Sequence, residues 1–472
     1  MSTDRLSPLD ASFLHIEDDV SHMHIASVAI FEGPQPAFAD IVAMVDAKLA
    51  LVPRYRQVVQ FVPFELGRPV WADDPHFNIE YHLRHTALPA PGGEAELRKL
   101  VGRVMSQPLD RSKPLWEIWI VEGLEDGRWA MLAKTHHAMV DGVAGTDLLA
   151  VIMDLSPEAV RPDVPAWVPR PSQSGGRLAA DAVFNMVRSP YEQVRAVRAS
   201  TRAVRGALSH AKEVGQGVVA MAGLVRNTPV SSLNGPIGPH RRYAWASTTV
   251  EDIKAVRHGL GGTFNDVILA SITNGFRELL LSRGEDVDRV VRTLVPVSVR
   301  PRDSSGKAVG DGTFENKVSA MFAELPVNID DPVERLHAIT RQMDGLKDSK
   351  QAVAGEALTS MSGFAPPMLL ALGMRLATRA AQRNVNTVTT NVPGPQFPLY
   401  VLGREMLHAI PVAFLPENHA LAIAIMSYNG QMNFGLLGDF DALPDIGAIG
   451  ADIAAELANF VALARESAAA PA

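Results

Sequence analysis

A chain of 472 residues exceeds what one average hydrophobic core serves, so two domains of roughly 150 to 230 residues are expected. Apolar residues make up 47% and charged residues 20%, an ordinary globular balance that argues against a disordered or fibrous chain. A net charge of −8 offers no broad positive field for a nucleic-acid backbone, and the absence of cysteine removes disulfides, thiolate nucleophiles and thiolate metal ligands.

The first residues, MSTDRLSPLDASFLHIEDD, are broken by charge too often to form the apolar core of a secretory signal, which makes the cytoplasm the expected compartment. Then MHIASVAIFEG (23–33) reads as a strand, and Phe38 to Leu51 carries the apolar spacing of a helix. Further on, PLWEIWIVEGL and RWAMLAKTHH flank Glu125, Asp126 and Gly127, the composition of a hairpin turn, with the second strand ending at His136. Trp116 and Trp119 are read as sharing one face of the first strand, as core rather than ligand contacts. Helical spacing resumes from Gly142 to Met153, with Asp141 placed to cap it.

From Ser156 to Pro171 repeated prolines forbid a helix interior or a central strand and mark a boundary. Residues 177–225, rich in Ala, Val and Arg, read as one or two amphipathic helices. The division is therefore 1–155, a Pro-rich then helical linker at 156–240, and 241–472. The last part begins with the strand RRYAWASTTV, continues with a helix opening at Thr263 and the strand VVRTLVPVSVR, and reaches a hairpin centred on Asn429 and Gly430. A helix from Pro444 to Arg465 follows. Both halves are mixed α/β, which suits two related domains with a site between them. The longest uninterrupted apolar run, Phe364 to Met374, is too short to span a bilayer.

The chemistry-bearing segment is THHAMVDGVAG (135–145), where two histidines close a strand and Asp141 and Gly142 follow in the loop. Such a pair also reads as one buried, satisfied ring beside an exposed one. Chelation of a single metal ion by both is awkward, because adjacent strand side chains point to opposite faces, and no metal is expected. Thr263 and Asp266 have capping-box spacing, and Asn265 between them suits either the first helical turn or a nearby site. TNVPGP (390–395) fixes a sharp path after the strand NTVTT, which serves architecture or lines a channel. Arg300, Arg302 and Lys307 form a positive cluster that reads as a solvated loop or as contacts for cofactor phosphates.

HHAMVDG (136–142) matches the HHxxxDG signature of the chloramphenicol acetyltransferase-like superfamily, which includes condensation domains and CoA-dependent acyltransferases. Together with LSPLDASFLHIE (6–17), PLWE (114–117), FNDVILA (264–270), VPVSVR (295–300), ENKVS (315–319) and TNVPGP, the chain resembles the bacterial wax ester synthase/diacylglycerol acyltransferase family along nearly its whole length. The resemblance implies two chloramphenicol-acetyltransferase-like α/β domains joined by a helical linker, with an active-site tunnel between them. It also implies His137 as general base, with His136, Asp141, Gly142 and Asn265 supporting the site. Asn391, Pro393, Gly394 and Pro395 are then candidates for the substrate channel, and Arg300, Arg302 and Lys307 for CoA phosphates.

The implied reaction joins acyl-CoA, as co-substrate rather than resident cofactor, to diacylglycerol or a long-chain alcohol, giving triacylglycerol or a wax ester without an acyl-enzyme. A general base of this kind typically contributes 10² to 10⁴ in rate, roughly 3 to 5 kcal/mol. The alternatives are a condensation or polyketide-associated enzyme taking its acyl group from a carrier protein, and a non-catalytic lipid-binding protein. Peripheral contact with the inner membrane or lipid inclusions is expected if the acceptor is a lipid, and nucleic acid is not an expected partner.

Overall fold

The computed structural model describes residues 4–140, 148–158, 167–181, 184, 231–298, 318–348 and 385–469. Most of the expected linker, the Phe364–Met374 run, and Asp141, Gly142, Arg300, Arg302 and Lys307 lie outside them.

The first half begins with α1 (Pro8–Ile16), whose N-terminus is capped by the Ser7 side chain accepting from the Asp10 amide, and continues through β1 (His24–Phe31) and α2 (Phe38–Lys48). A small β2–β3 ribbon (Gln57–Gln60, Val70–Asp73), α3 (Ile79–His82), β4 (Leu83–Ala87) and α4 (Glu94–Met105) follow. The expected hairpin is β5 (Trp116–Glu122) and β6 (Trp129–His136), turning through Asp126 in the left-handed region at φ 61°. The helix expected at 142–153 is seen as α5 (Leu148–Ile152), its beginning lying outside the described residues.

The second half contains β7 (Arg241–Thr249), α6 (Val250–Leu260), α7 (Phe264–Ser282), β8 (Val291–Ser298), β9 (Val318–Leu325) and α8 (Pro332–Asp348). Then come β10 (Thr387–Pro393), β11 (Tyr400–Val401), β12 (Arg404–Val412), β13 (Leu421–Tyr428), β14 (Gln431–Asp439) and α9 (Ile446–Ala469). The β13–β14 turn places Asn429 and Gly430 at φ 43° and 78°, the conformation that makes Asn-Gly favourable there.

Two six-stranded sheets result, in the orders β11-β12-β1-β6-β5-β4 and β7-β14-β13-β10-β8-β9. The chain crosses once more than the pattern of elements suggests: β11 and β12 belong to the second half in sequence and to the first sheet in space, β12 pairing antiparallel with β1 from Ala26↔Val412 to Phe31↔Met406. One apolar cluster accordingly draws on both halves, including Val28, Leu97 and Leu132 from the first and Trp245, Ile410 and Ala424 from the second.

Trp116 and Trp119 do not share a face. Three residues apart on a strand, they point to opposite sides. Trp116 is buried in the cluster with Tyr55, where its indole N–H donates to the Tyr55 carbonyl at 2.7 Å, whereas Trp119 flanks the cluster that joins the halves.

Among the described residues one helix, over Ile446–Ser467, is long and apolar enough by length and composition to cross a membrane. Its packing accounts for that composition: Ile449, Ile453, Leu457 and Phe460 are buried against the second sheet's helices, and Glu456 forms a buried ion pair with Arg335.

The two sheets touch where Gly435 of β14 meets Pro411 of β12, so closely that an added Cβ would sit 1.7 Å from the Pro411 carbonyl oxygen and 2.8 Å from the Tyr243 hydroxyl. That hydroxyl itself donates to the Pro411 carbonyl at 2.9 Å. Gly435→Ala should therefore destabilise the protein by more than about 2 kcal/mol, measured by urea unfolding, because neither backbone can yield without separating the sheets.

Candidate functional site

β6 delivers the histidine pair to its C-terminal end. His136 pairs in register with His24 of β1 and is fully buried. Its Nδ1 accepts from the Ala138 amide at 3.0 Å, capping the short 3-10 turn His137–Met139. That bond assigns the ring proton to Nε2, which lies 3.3 Å from Glu17 Oε2. The contact is electrostatic rather than a well-aligned hydrogen bond.

Glu17, the C-cap of α1, is the centre of the cluster. Its other oxygen lies 3.1 Å from His24 Nε2, and Arg111 closes the group, donating to Glu17 and, at 3.0 Å, to the Leu14 carbonyl. Burial alone would raise the Glu17 carboxyl, but the His136 and His24 contacts outweigh it and hold the group well below the usual carboxylate range. Sequence reading contains the LSPLDASFLHIE segment that ends on Glu17 but gives that residue no role; only the strand register brings it to His24 and His136.

His137 sits apart from this anion. Its main-chain N–H donates to the Met23 carbonyl at 2.8 Å, and its half-buried ring stacks on Phe13 (centroids 4.1 Å apart) with the edge of Phe414 at 5.7 Å. Nδ1 is buried without a well-aligned partner among the described residues. Burial lowers its pKa to about 4; the ring's own main chain opposes that shift only partly, and His136 adds to it. At neutral pH the imidazole is uncharged, with a lone pair to accept a proton.

A buried ion pair lies two residues back along β6 from His136. Lys134 donates to the Val104 and Gln107 carbonyls at 2.9 and 2.5 Å and to Glu117 at 3.2 Å, tying the end of α4 to this strand.

The second group of candidates lies on the other sheet. Asn391 on β10 donates to the Asn265 side chain at 2.8 Å, bringing the FNDVILA and TNVPGP segments together. Asp266 and Thr263 form the capping box of α7, with Thr263 N to Asp266 at 2.7 Å, so Asp266 is occupied with the helix end. Pro393 is exposed; Pro395 accepts from the Asn429 amide through its carbonyl, and Gly394 runs so close to Ser427 that an added Cβ would lie 2.2 Å from its carbonyl oxygen. No hydrogen bond joins Asn265 or Asn391 to His137 among the described residues. Among those residues no three His, Asp or Glu side chains are grouped to hold a metal ion.

Two mixed α/β domains, the second lending β11 and β12 to the first sheet, with a histidine pair at the end of a central strand, define a chloramphenicol-acetyltransferase-like architecture. The first condensation domain of the calcium-dependent antibiotic synthetase superposes with a TM-score of 0.57 at 16% identity, covering 100% of this chain and 98% of its own, a likeness of fold. Residues 6–268 match the wax ester synthase/diacylglycerol acyltransferase catalytic domain and residues 314–460 the WS/DGAT C-terminal domain. The chain belongs to the wax ester synthase/diacylglycerol acyltransferase family and is an acyltransferase.

A probable diacylglycerol O-acyltransferase of Mycobacterium tuberculosis H37Rv is 36% identical over 463 residues, 98% of this chain and 96% of the relative. A second putative diacylglycerol O-acyltransferase from the same strain is 32% identical over 94% of this chain and 87% of its own length. The wax ester synthase/diacylglycerol acyltransferase from Marinobacter aquaeolei VT8 superposes with a TM-score of 0.67 at 26% identity, covering 98% of this chain and 100% of its own.

The buried histidines also set a pH dependence of stability. Burial lowers His24 to about 3, and His82, stacked on Trp116, to about 4, alongside His137 at about 4. Between their unfolded value near 6.5 and these folded values, the unfolded chain binds more protons, so stability is full above pH 6.5 and declines as the pH falls. The melting temperature should drop steadily from pH 6.5 to 4, and His82→Phe should flatten part of that slope; a melting temperature constant over this range would contradict the assignment.

Proposed function

We propose that the enzyme transfers the acyl group of an acyl-CoA to the hydroxyl of diacylglycerol, and less selectively to a long-chain alcohol, with His137 as general base. The carrying observation is the His137 ring: half-buried at a strand end, clamped between Phe13 and Phe414, anchored through its amide and uncharged at neutral pH. The names of the relatives favour diacylglycerol as acceptor, and the Marinobacter structure's name supports the alcohol. No cofactor is needed, since the thioester supplies the activation.

The steps balance without a covalent enzyme intermediate. With Nδ1 enclosed, Nε2 of His137 takes the hydroxyl proton as the acceptor oxygen bonds to the thioester carbonyl carbon. The tetrahedral species collapses, the C–S bond breaks, and the imidazolium returns the proton to the departing thiolate, leaving an ester and free CoA. Glu17 acts indirectly in this scheme: it orients His136, whose bond to the Ala138 amide shapes the turn that carries His137. Because both lipid substrates partition into membranes, the enzyme works as a peripheral protein on a cytoplasmic lipid surface.

The test is CoA release from palmitoyl-CoA with diacylglycerol or hexadecanol supplied in turn, with the lipid product identified. His137→Ala should lower kcat by about 10² to 10⁴ with an unchanged circular-dichroism spectrum. Undiminished turnover in this variant would overturn the role of His137, and turnover with an acyl carrier protein thioester in place of acyl-CoA would overturn the donor.

A further inference from the structure

Away from the histidines, an open groove of about 460 Å³ lies between α4 and the start of β7. Its volume falls in the range of small-molecule sites, and basic side chains line its walls. Arg98, Lys99 and Arg103 come from α4, and His240, Arg241 and Arg242 from the entry into β7. The floor between them is apolar, formed by Tyr243, Pro444 and Ile446 with the exposed ring of Phe440.

Three of these cations are engaged in holding the groove together. Arg98 pairs with Glu94 and stacks on Trp245, its carbon 4.3 Å from the ring centroid. Arg241 donates to the Gly238 and His240 carbonyls at 2.6 and 2.9 Å and also to Val20, while Arg242 lies over Phe440 at 3.8 Å. Lys99 and Arg103 differ. They stand one turn apart on the exposed face of α4 and make no ion pair among the described residues. Assembling like charges is unfavourable unless an anion joins them, and guanidinium and ammonium groups around an apolar floor suit a ligand that is phosphorylated at one end and flat and apolar at the other.

The groove is tied to the His137 loop from two sides. Gln107 lines it, and the Gln107 carbonyl accepts from Lys134, which precedes His137 by three residues, about 10 Å along an extended strand. Arg241 holds the Val20 carbonyl, and three residues later the Met23 carbonyl receives the His137 amide.

We propose that this groove, with Lys99 and Arg103 as its free cations, binds the phosphorylated adenosine end of the CoA thioester donor. The assignment rests on the acyl-CoA reading above. Phosphate groups meet the α4 cations, the purine lies on the Phe440 and Tyr243 floor, and the pantetheine arm runs towards His137.

The test uses the full-length enzyme and the double variant Lys99→Glu/Arg103→Glu, both positions being exposed and outside the core. Binding of adenosine 3′,5′-diphosphate is measured by calorimetry, and ester formation from palmitoyl-CoA and from palmitoyl-pantetheine, which lacks the nucleotide, is followed in parallel. The expected result is loss of nucleotide binding and a rise in KM for palmitoyl-CoA of about tenfold or more, with palmitoyl-pantetheine kinetics unchanged. Equal nucleotide binding by wild type and variant, or none by wild type, overturns the groove assignment. Variant-sensitive nucleotide binding without ester formation by either protein leaves the groove standing and overturns the acyltransfer reading instead. If the variant loses binding to phosphatidylglycerol vesicles while its nucleotide binding is intact, the groove is a lipid-headgroup site and the proposal fails.

Discussion

The antiparallel pairing of β12 with β1 is the contact on which the remaining architecture depends. Without it the first sheet would end at β1, the edge strand that positions both His24 and, through β6, His136. An unpaired edge here would expose a row of backbone donors and acceptors beside the site. With β12 in place, the chain leaves the strand directly into Phe414 and Leu415. Phe414 packs its edge on His137, and the Leu415 carbonyl accepts from Ser21 at 2.9 Å. The second half thus reaches the His137 loop through one strand and its continuation, and the Gly435–Pro411 approach holds that strand against the second sheet.

Within this frame the site separates two electrostatic tasks. The buried anion, Glu17, is spent on His24, His136 and Arg111, all of which shape the loop. Among the described residues no carboxylate meets the His137 ring, which packs on aromatic carbon. A carboxylate against a catalytic imidazole stabilises the imidazolium and raises its basicity. Here burial works in the other direction.

Much of this was legible in residue patterns wherever local chemistry decides the outcome. The β5–β6 hairpin, its end at His136, the Thr263 cap and the Asn429-Gly430 turn all follow from side chains interacting with neighbours a few positions away. What was not legible arises from pairing over long sequence separations. REMLHAIPV, with a proline near its end and poor alternation, does not announce a strand, and nothing in it says that it pairs with a strand some 380 residues earlier. The same applies to Glu17, whose importance depends on which strands are neighbours, and to the α4 groove, whose cations come from segments about 140 residues apart. Trp116 and Trp119 show the limit in miniature: reading aromatic residues as one face fails when their spacing is odd.

The low basicity of His137 has a consequence for the proposed reaction. A ring with a pKa of about 4 is wholly in its base form at pH 7, yet it draws a proton from an alcohol less readily than an ordinary imidazole would. The cost is recovered in the second half of the reaction. The imidazolium formed among Phe13, Phe414 and buried backbone is destabilised by the same desolvation, and a thiolate whose conjugate acid has a pKa near 8.5 is a far better resting place for that proton. Protonation of the departing CoA is therefore strongly downhill, which disfavours re-addition of the thiolate to the new ester. The first proton transfer then depends on attack proceeding in concert with it, so the alcohol never becomes a free alkoxide. With no carboxylate on its ring among the described residues, His137 in this scheme holds the proton only briefly before passing it to the thiolate.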